Sequence, residues 1–238
     1  MISLQQSPLT PMISPASQPL LKLLQLASPA LPVGAFSYSE GLETLVHHHL
    51  LTQAEALNHW LVQELDHGAI TLEASVLGRA WKASQEQDCS ALHDWNQWIS
   101  ALRETEEMRN QSWQMGRSLQ RLLSDLDPTL QPLLDACGEP CNFATAFAIA
   151  ASHWDIDCKT AILGYLHSWA SNQINAGVKL IPLGQTAGQQ LLLNLLPTIE
   201  DAADHALNRL EDEMVCCGWG VAIASMNHET LYSRLFRS

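Results

Sequence analysis

Apolar residues along the chain recur almost throughout at the spacing of a helix surface. Leu57, Leu61 and Leu65 repeat every four residues with Trp60 beside them, which gives a helix over residues 52–70 one apolar face. Thr52 and Glu55 have the capping-box spacing at its start, while Gly68 leaves its end open. A second helix continues through Ala74, Leu77 and Trp81, and Asp88 is placed to cap a third through Leu92, Trp95 and Ile99. From Arg103 to Leu126, early Glu104, Glu106, Glu107 and Arg109 are followed by Met115, Leu119, Leu122 and Leu123. That pattern predicts one long amphipathic helix, ended at Asp127-Pro128 because the residue before a proline is pushed out of the α region.

Cys137-Gly138-Glu139-Pro140 reads as a loop. Residues 142–152 are small and apolar (Phe143, Ala144, Phe147, Ala148, Ala151), which lets a helix approach its neighbours closely. Asp155 or Asp157 opens a helix through Leu163, Leu166 and Ala170; the next holds Ile174, Val178 and Ile181 and ends at Pro182. Residues 185–196 form another, stopped by Pro197. Thr198 caps the last clear helix, with Glu200 and Asp201 in its first turn where the dipole favours negative charge. Residues 224–238 have weaker periodicity, and residues 1–18 are rich in Ser, Pro and Gln. No alternating run is bounded by hairpin turns, and no repeat of fixed period occurs. The expectation is an all-α fold, a single-domain helical bundle of about ten helices. The helical domain covers residues 19–223, between a flexible N-terminal segment (1–18) and a partner-binding C-terminal tail (224–238).

Composition narrows the function classes. Of 238 residues, 47% are hydrophobic and 16% charged, enough apolar surface for a sizeable core. With 25 acidic against 12 basic side chains the net charge is −13, so nucleic acid is excluded as a partner for want of clustered cations. No apolar stretch approaches the ~18 residues of a membrane span; residues 191–196 are interrupted by Asn194 and stopped by Pro197. The first basic residue is Lys22, so no secretory leader is read, and the six cysteines do not suggest a disulfide framework. A soluble, reduced, cytoplasmic protein is expected.

The usual chemistries find no purchase. Gly184-Gln185-Thr186-Ala187-Gly188 lacks the Gly-Lys-Ser/Thr of a phosphate cradle. Ser37 and Ser39 lack the glycine two residues before a hydrolase nucleophile and read instead as caps for a helix starting near Glu40. In a helix His47, His48 and His49 point about 100° apart and do not converge on one ion. Cys137 and Cys141 have no second pair to complete a tetrahedral site, and Cys216 and Cys217 read as small packed hydrophobes. The tryptophans fall mostly on apolar helix faces and read as core.

Three features have no core-packing explanation. Residues 26–38 join two helices with Pro29, Pro32 and Gly34, a stiff and specifically shaped loop that carries Phe36 and Tyr38 and suits docking better than catalysis. Arg234-Leu235-Phe236-Arg237 places two cations around two apolar groups near the end of the sequence. Lys179 lies in an apolar turn and is either snorkelling or buried with a carboxylate.

Those features carry a resemblance. The block Leu24-Gln25-Leu26-Ala27-Ser28-Pro29-Ala30-Leu31-Pro32-Val33-Gly34-Ala35-Phe36-Ser37-Tyr38-Ser39-Glu40-Gly41-Leu42-Glu43 resembles the opening signature of the urease accessory protein UreF family. Arg103-Glu104-Thr105-Glu106-Glu107-Met108-Arg109 with Met115-Gly116-Arg117-Ser118-Leu119 resembles its long central helix. Ile181-Pro182-Leu183-Gly184-Gln185-Thr186-Ala187-Gly188-Gln189 and Ser233-Arg234-Leu235-Phe236-Arg237-Ser238 resemble its later motif and its C-terminal signature. The blocks occur in family order; one departure is Ser171-Asn172, where an acidic residue is expected before the asparagine. The resemblance implies an all-α, usually dimeric, non-catalytic chaperone without a cofactor of its own. Its implied partners are UreD/UreH, the GTPase UreG and the subunits of apo-urease, on which it promotes nickel insertion and lysine carbamylation. The partner-binding residues expected on this reading are Pro32, Gly34, Phe36, Ser37, Tyr38, Glu40 and Glu43 in the first block, Lys179, and Arg234, Phe236 and Arg237 at the end. Modulation of UreG by Lys179, Arg234 or Arg237 is a second expectation. The competing reading is a nickel-binding metallochaperone that uses clustered His and Cys.

Overall fold

Two helices buried on nearly every side organise the rest of the chain. The computed structural model describes residues 17–215 and 218–238, and among these it contains eleven α-helices and no strand. They are α1 (Gln18–Leu26), α2 (Leu42–His47), α3 (Ala54–His67), α4 (Ala69–Gln85), α5 (Cys89–Leu102) and α6 (Glu106–Leu126). After them come α7 (Gln131–Ala136), α8 (Phe143–His153), α9 (Cys158–Leu180), α10 (Gln185–Asn208) and α11 (Trp219–His228). The expectations for residues 1–16 and for Cys216 and Cys217 lie outside the described residues.

The central pair is α4 and α8. In α4, Ile70, Leu72, Ala74, Val76, Leu77 and Ala80 are all buried, and in α8 every residue from Ala144 to Ser152 is. A helix without a polar face has to be enclosed, and α8 packs against both α4 and α6 while α5, α9 and α10 also flank α4. Small side chains permit this. A Cβ on Gly116 of α6 would stand 2.1 Å from the Cys141 carbonyl oxygen, so backbone meets backbone there. Beside it the buried Asn96 donates to the Cys137 and Pro140 carbonyls and accepts from the Asn142 amide (2.8 Å). This pairs the polar backbone of the 137–141 loop, which burial would otherwise leave costly. Cys137 and Cys141 are buried free thiols.

The expected caps at Asp88 and Asp157 are observed, each accepting a first-turn amide. Other local expectations are corrected. Thr52 does not cap α3; its N-cap is Gln53, without a side-chain bond. Leu50 and Leu51 bond back to the Leu45 carbonyl, and this tight turn buries Leu51 and starts the helix one residue late for a Thr52–Glu55 box. The two helices expected between Asp157 and Pro182 are one, α9, since neither glycine nor proline separates Ala170 from Ile174. Pro197 does not stop α10 but lies inside it. It and Leu193, whose carbonyl loses its helical donor, face solvent, where water replaces the missing bond.

Residues 224–238, weak in periodicity, are partly helical and partly extended against the bundle. Residues 219–228 form α11, and Leu235 to Ser238 lie back along the start of the chain through hydrogen bonds to Glu43, Ser37 and Ser39.

Replacing Gly116 by alanine puts a methyl group against the carbonyl of Cys141, so we expect destabilisation of about 1–3 kcal/mol, measured by urea denaturation.

Candidate functional site

The loop that follows α1 is shaped by its own backbone. Gly34 takes φ +79° and starts a single 3-10 turn, Ala35–Ser37, closed when the Ser37 hydroxyl donates to the Gly34 carbonyl (2.7 Å). Tyr38 is buried and donates to Gln114 (2.7 Å), and Asn172 donates to the Tyr38 carbonyl (3.3 Å). Glu40 and Gly41 are both left-handed, with φ +52° and +82°, which turns the chain into α2. Gly41 is needed on two counts, since a Cβ there would also meet the Ala224 side chain at 2.9 Å. Ser39, rather than Ser37, reaches the first turn of α2 and accepts the Glu43 amide at 3.3 Å.

Onto this loop the last residues dock as an extended strip. The Arg237 amide donates to the Ser37 carbonyl (2.8 Å), and the Ser39 amide and hydroxyl both donate to the Ser238 carbonyl (2.7 Å each). Glu43 is the anchor. Its carboxylate accepts the Leu235 amide (2.7 Å) and the Phe236 amide (2.9 Å), and it faces the His228 Nε2 at 3.2 Å. The other ring nitrogen of His228 lies 2.9 Å from Glu107, which also holds Arg234 at 3.0 Å. Burial pushes the Glu107 carboxyl up, against the pull of His228 and Arg234. His228 is fully enclosed, so it ties α11, α2 and α6 together beneath the strip. Phe236 is buried under the Lys179 ammonium, 5.4 Å from its ring centroid; Lys179 is exposed, the snorkelling alternative.

Behind the loop lies a cavity of about 250 Å³. Leu26, Pro29, Leu31, Val33 and Phe36 line it on the loop side, and Glu73, Arg103 and Tyr165 lie among its inner residues. Glu73 accepts from both Arg103 and Tyr165. Burial works against the Arg103 charge, yet Glu73 holds the guanidinium firmly protonated. Burial and then the Glu73 charge push the Tyr165 hydroxyl well up. Glu40 accepts from Gln111 (2.7 Å) and Trp169 (2.8 Å), both neutral; its carboxyl is raised first by burial and then by Glu73.

Of the residues expected to bind partners, Pro32, Phe36, Lys179, Arg234 and Arg237 are exposed and Gly34, Ser37 and Glu40 half-buried. Tyr38, Glu43 and Phe236 are buried, and they shape the surface from beneath. Sequence reading missed Gln111 and His228, and it gave Ser39 as a helix cap without its bonds to Ser238. The Trp219–Ser225 run, apolar and small, was the one signal that a helix would carry His228 under the loop. Gly188, from the glycine motif, serves packing: a Cβ there would meet Val178 at 3.0 Å and Ile174 at 3.2 Å. Among the described residues no group of three or more His, Cys, Asp or Glu is placed to hold a metal ion, and no helix is long and apolar enough to cross a membrane.

A helical bundle whose shaped loop and returning chain end make one face has the build of an interaction protein. Comparison with known proteins gives that class a family. The UreF family profile matches residues 51–196. The urease accessory protein UreF of Nostoc is 58% identical over 218 residues, 92% of this chain and 95% of its own. Its counterpart from Microcystis aeruginosa is 54% identical over 219 residues (92% and 97%), and that from Hahella chejuensis 40% identical over 220 (92% and 98%). The chain belongs to the UreF family of urease accessory proteins, and it is not an enzyme.

Two outcomes follow from these contacts. Changing Glu43 to Gln replaces one carboxylate oxygen by an amino group that cannot accept, at about 1.5–3 kcal/mol for bonds to a charged group. The Leu235 and Phe236 amides should then exchange with solvent about tenfold faster or more, with helicity by circular dichroism unchanged. Glu64 gives a pH signature. Burial first, then Glu40 and Glu104, raise it from an ordinary 4.5 to about 8. The folded chain thus keeps a proton that the unfolded chain releases, so this contribution is full below pH 4.5 and lost as pH rises toward 8. In Glu64→Gln that decline is absent, and urea midpoints at the two ends of this range measure it.

Proposed function

We propose that this protein is a non-catalytic scaffold of urease maturation, which assembles with UreD/UreH and the GTPase UreG on apo-urease subunits in the cytoplasm. In that assembly it promotes nickel insertion and carbamylation of the active-site lysine. The observation that carries the reading is the joining of the two signature blocks. In a chain of the urease accessory family, the proline loop and the C-terminal segment share backbone hydrogen bonds and form one continuous face. Phe36 is 68% exposed on that face and Leu235 65%, with Arg234 and Arg237 beside them, a mixture of apolar anchors and arginines that favours protein contacts.

Homodimerisation belongs to the same proposal. Trp219, Ile223 and Met226 lie at helical spacing on α11 and are all exposed, as are Leu20, Leu21 and Leu24 on α1. Exposed apolar stripes of this kind mark contact surfaces.

The test is urease activation in a host lacking the protein, with pull-down of UreD/UreH and UreG alongside. Activity should return with the full chain. Deletion of Ser233–Ser238 should weaken capture of UreD/UreH while leaving helicity intact; undiminished capture counts against the docking face. GTP turnover by UreG within the complex, compared between wild type, Lys179→Ala and Arg237→Ala, tests modulation of the GTPase.

A further inference from the structure

Taken charge by charge, the cavity behind the proline loop is unbalanced. Glu73 is neutralised by Arg103 and further held by Tyr165. Lys179, the other cation on the wall, is turned over the Phe236 ring. Glu40 has no such partner. Each of its oxygens receives one neutral donor, from Gln111 and from Trp169, and among the described residues it takes part in no ion pair. Arg103, paired with Glu73, pulls on Glu40 least of its neighbours and without contact. A carboxylate drawn from water with no counter-charge in contact is costly, in keeping with its raised carboxyl. Pro29 and Phe36, both exposed, form part of the cavity lining, so the space reaches the protein surface beside the docking face. At about 250 Å³ it falls below the roughly 300–1,000 Å³ of sites for drug-sized ligands. Its size suits a single long side chain with an apolar stem.

We propose that this cavity receives an arginine or lysine side chain from a partner protein, its stem against the proline loop and its cationic head on Glu40. The inference rests on the scaffold reading above and names the chemistry of one contact within it. The aromatic wall suits the same occupant, because Trp169 and Phe36 present ring systems that attract cations. An anion is the rival, since the buried Arg103 Nε–H has no hydrogen-bond partner. The Arg103 charge is already cancelled by Glu73, however, and an anion entering here meets two carboxylates.

The probe is n-butylguanidinium, titrated into the full-length protein while the indole N–H resonance of Trp169 is followed by NMR. We expect a saturable shift, with binding about tenfold weaker or more for neutral butylurea and for Glu40→Gln. Equal binding of butylurea, tighter binding of butyrate, or unchanged binding by Glu40→Gln overturns the proposal. Ser168→Phe, which fills the cavity from α9 and leaves Glu40 intact, should block the probe as well, and it replaces Glu40→Gln should that variant misfold. In pull-downs, either variant should capture the accessory partner at least about tenfold less well than wild type. Undiminished capture by both overturns the inference alone, whereas failure of the wild type to capture any accessory partner defeats the scaffold reading.

Discussion

A single buried carboxylate joins the proline loop's side of the bundle to residues 235 and 236. Glu43 takes the amides of Leu235 and Phe236 and stands against His228, so one side chain on a two-turn helix collects donors from the chain end and from α11. Hydrogen bonds to an ionised acceptor are about twice as strong as neutral ones, and here they are shielded from water. The consequence is geometric. With the strip held at 235 and 236, the bonds at Ser37 and Ser39 fall into place, Phe236 enters the core and the two arginines flank it on the outside. Remove the charge and each of these contacts loses its common support.

The interior below that junction is polar in an ordered way. Arg103 and Glu73 form a buried pair whose partner hydroxyl, on Tyr165, comes from a third element. Such pairs contribute little net stability against their desolvation, but removal of one member is severe. They do fix which elements meet: α4, α9 and the end of α5 have one arrangement that brings these three groups together. The Asn96–Asn142 network does the same between α5, α6 and α8, where a buried loop needs its carbonyls paired.

How much of this could be read in the residues beforehand depends on the distance over which the cause acts. The helices were legible because amphipathic spacing and caps such as Asp88 and Asp157 act within one or two turns. The boundaries failed where a neighbour decided them. Pro197 stays helical because its side of α10 is wet, and Thr52 loses its cap to a turn set by Leu45. The proline loop was legible as a rigid, leftover piece, since Pro29, Pro32 and Gly34 constrain the backbone locally. The docked end was not. Its amides find Glu43 across 192 and 193 residues of sequence, and periodicity holds no trace of such a meeting. Nor could the sequence show that Glu73 comes near enough to raise the Glu40 carboxyl, or Glu40 near enough to raise that of Glu64.

The hydroxyl of Ser39 and the carbonyl of Ser238 are separated by 199 positions. Synthesis therefore delivers residues 37–43 long before residues 235–238. During that interval the nascent bundle can acquire its helices, while the Glu43 carboxylate still lacks the Leu235 and Phe236 amides it later accepts.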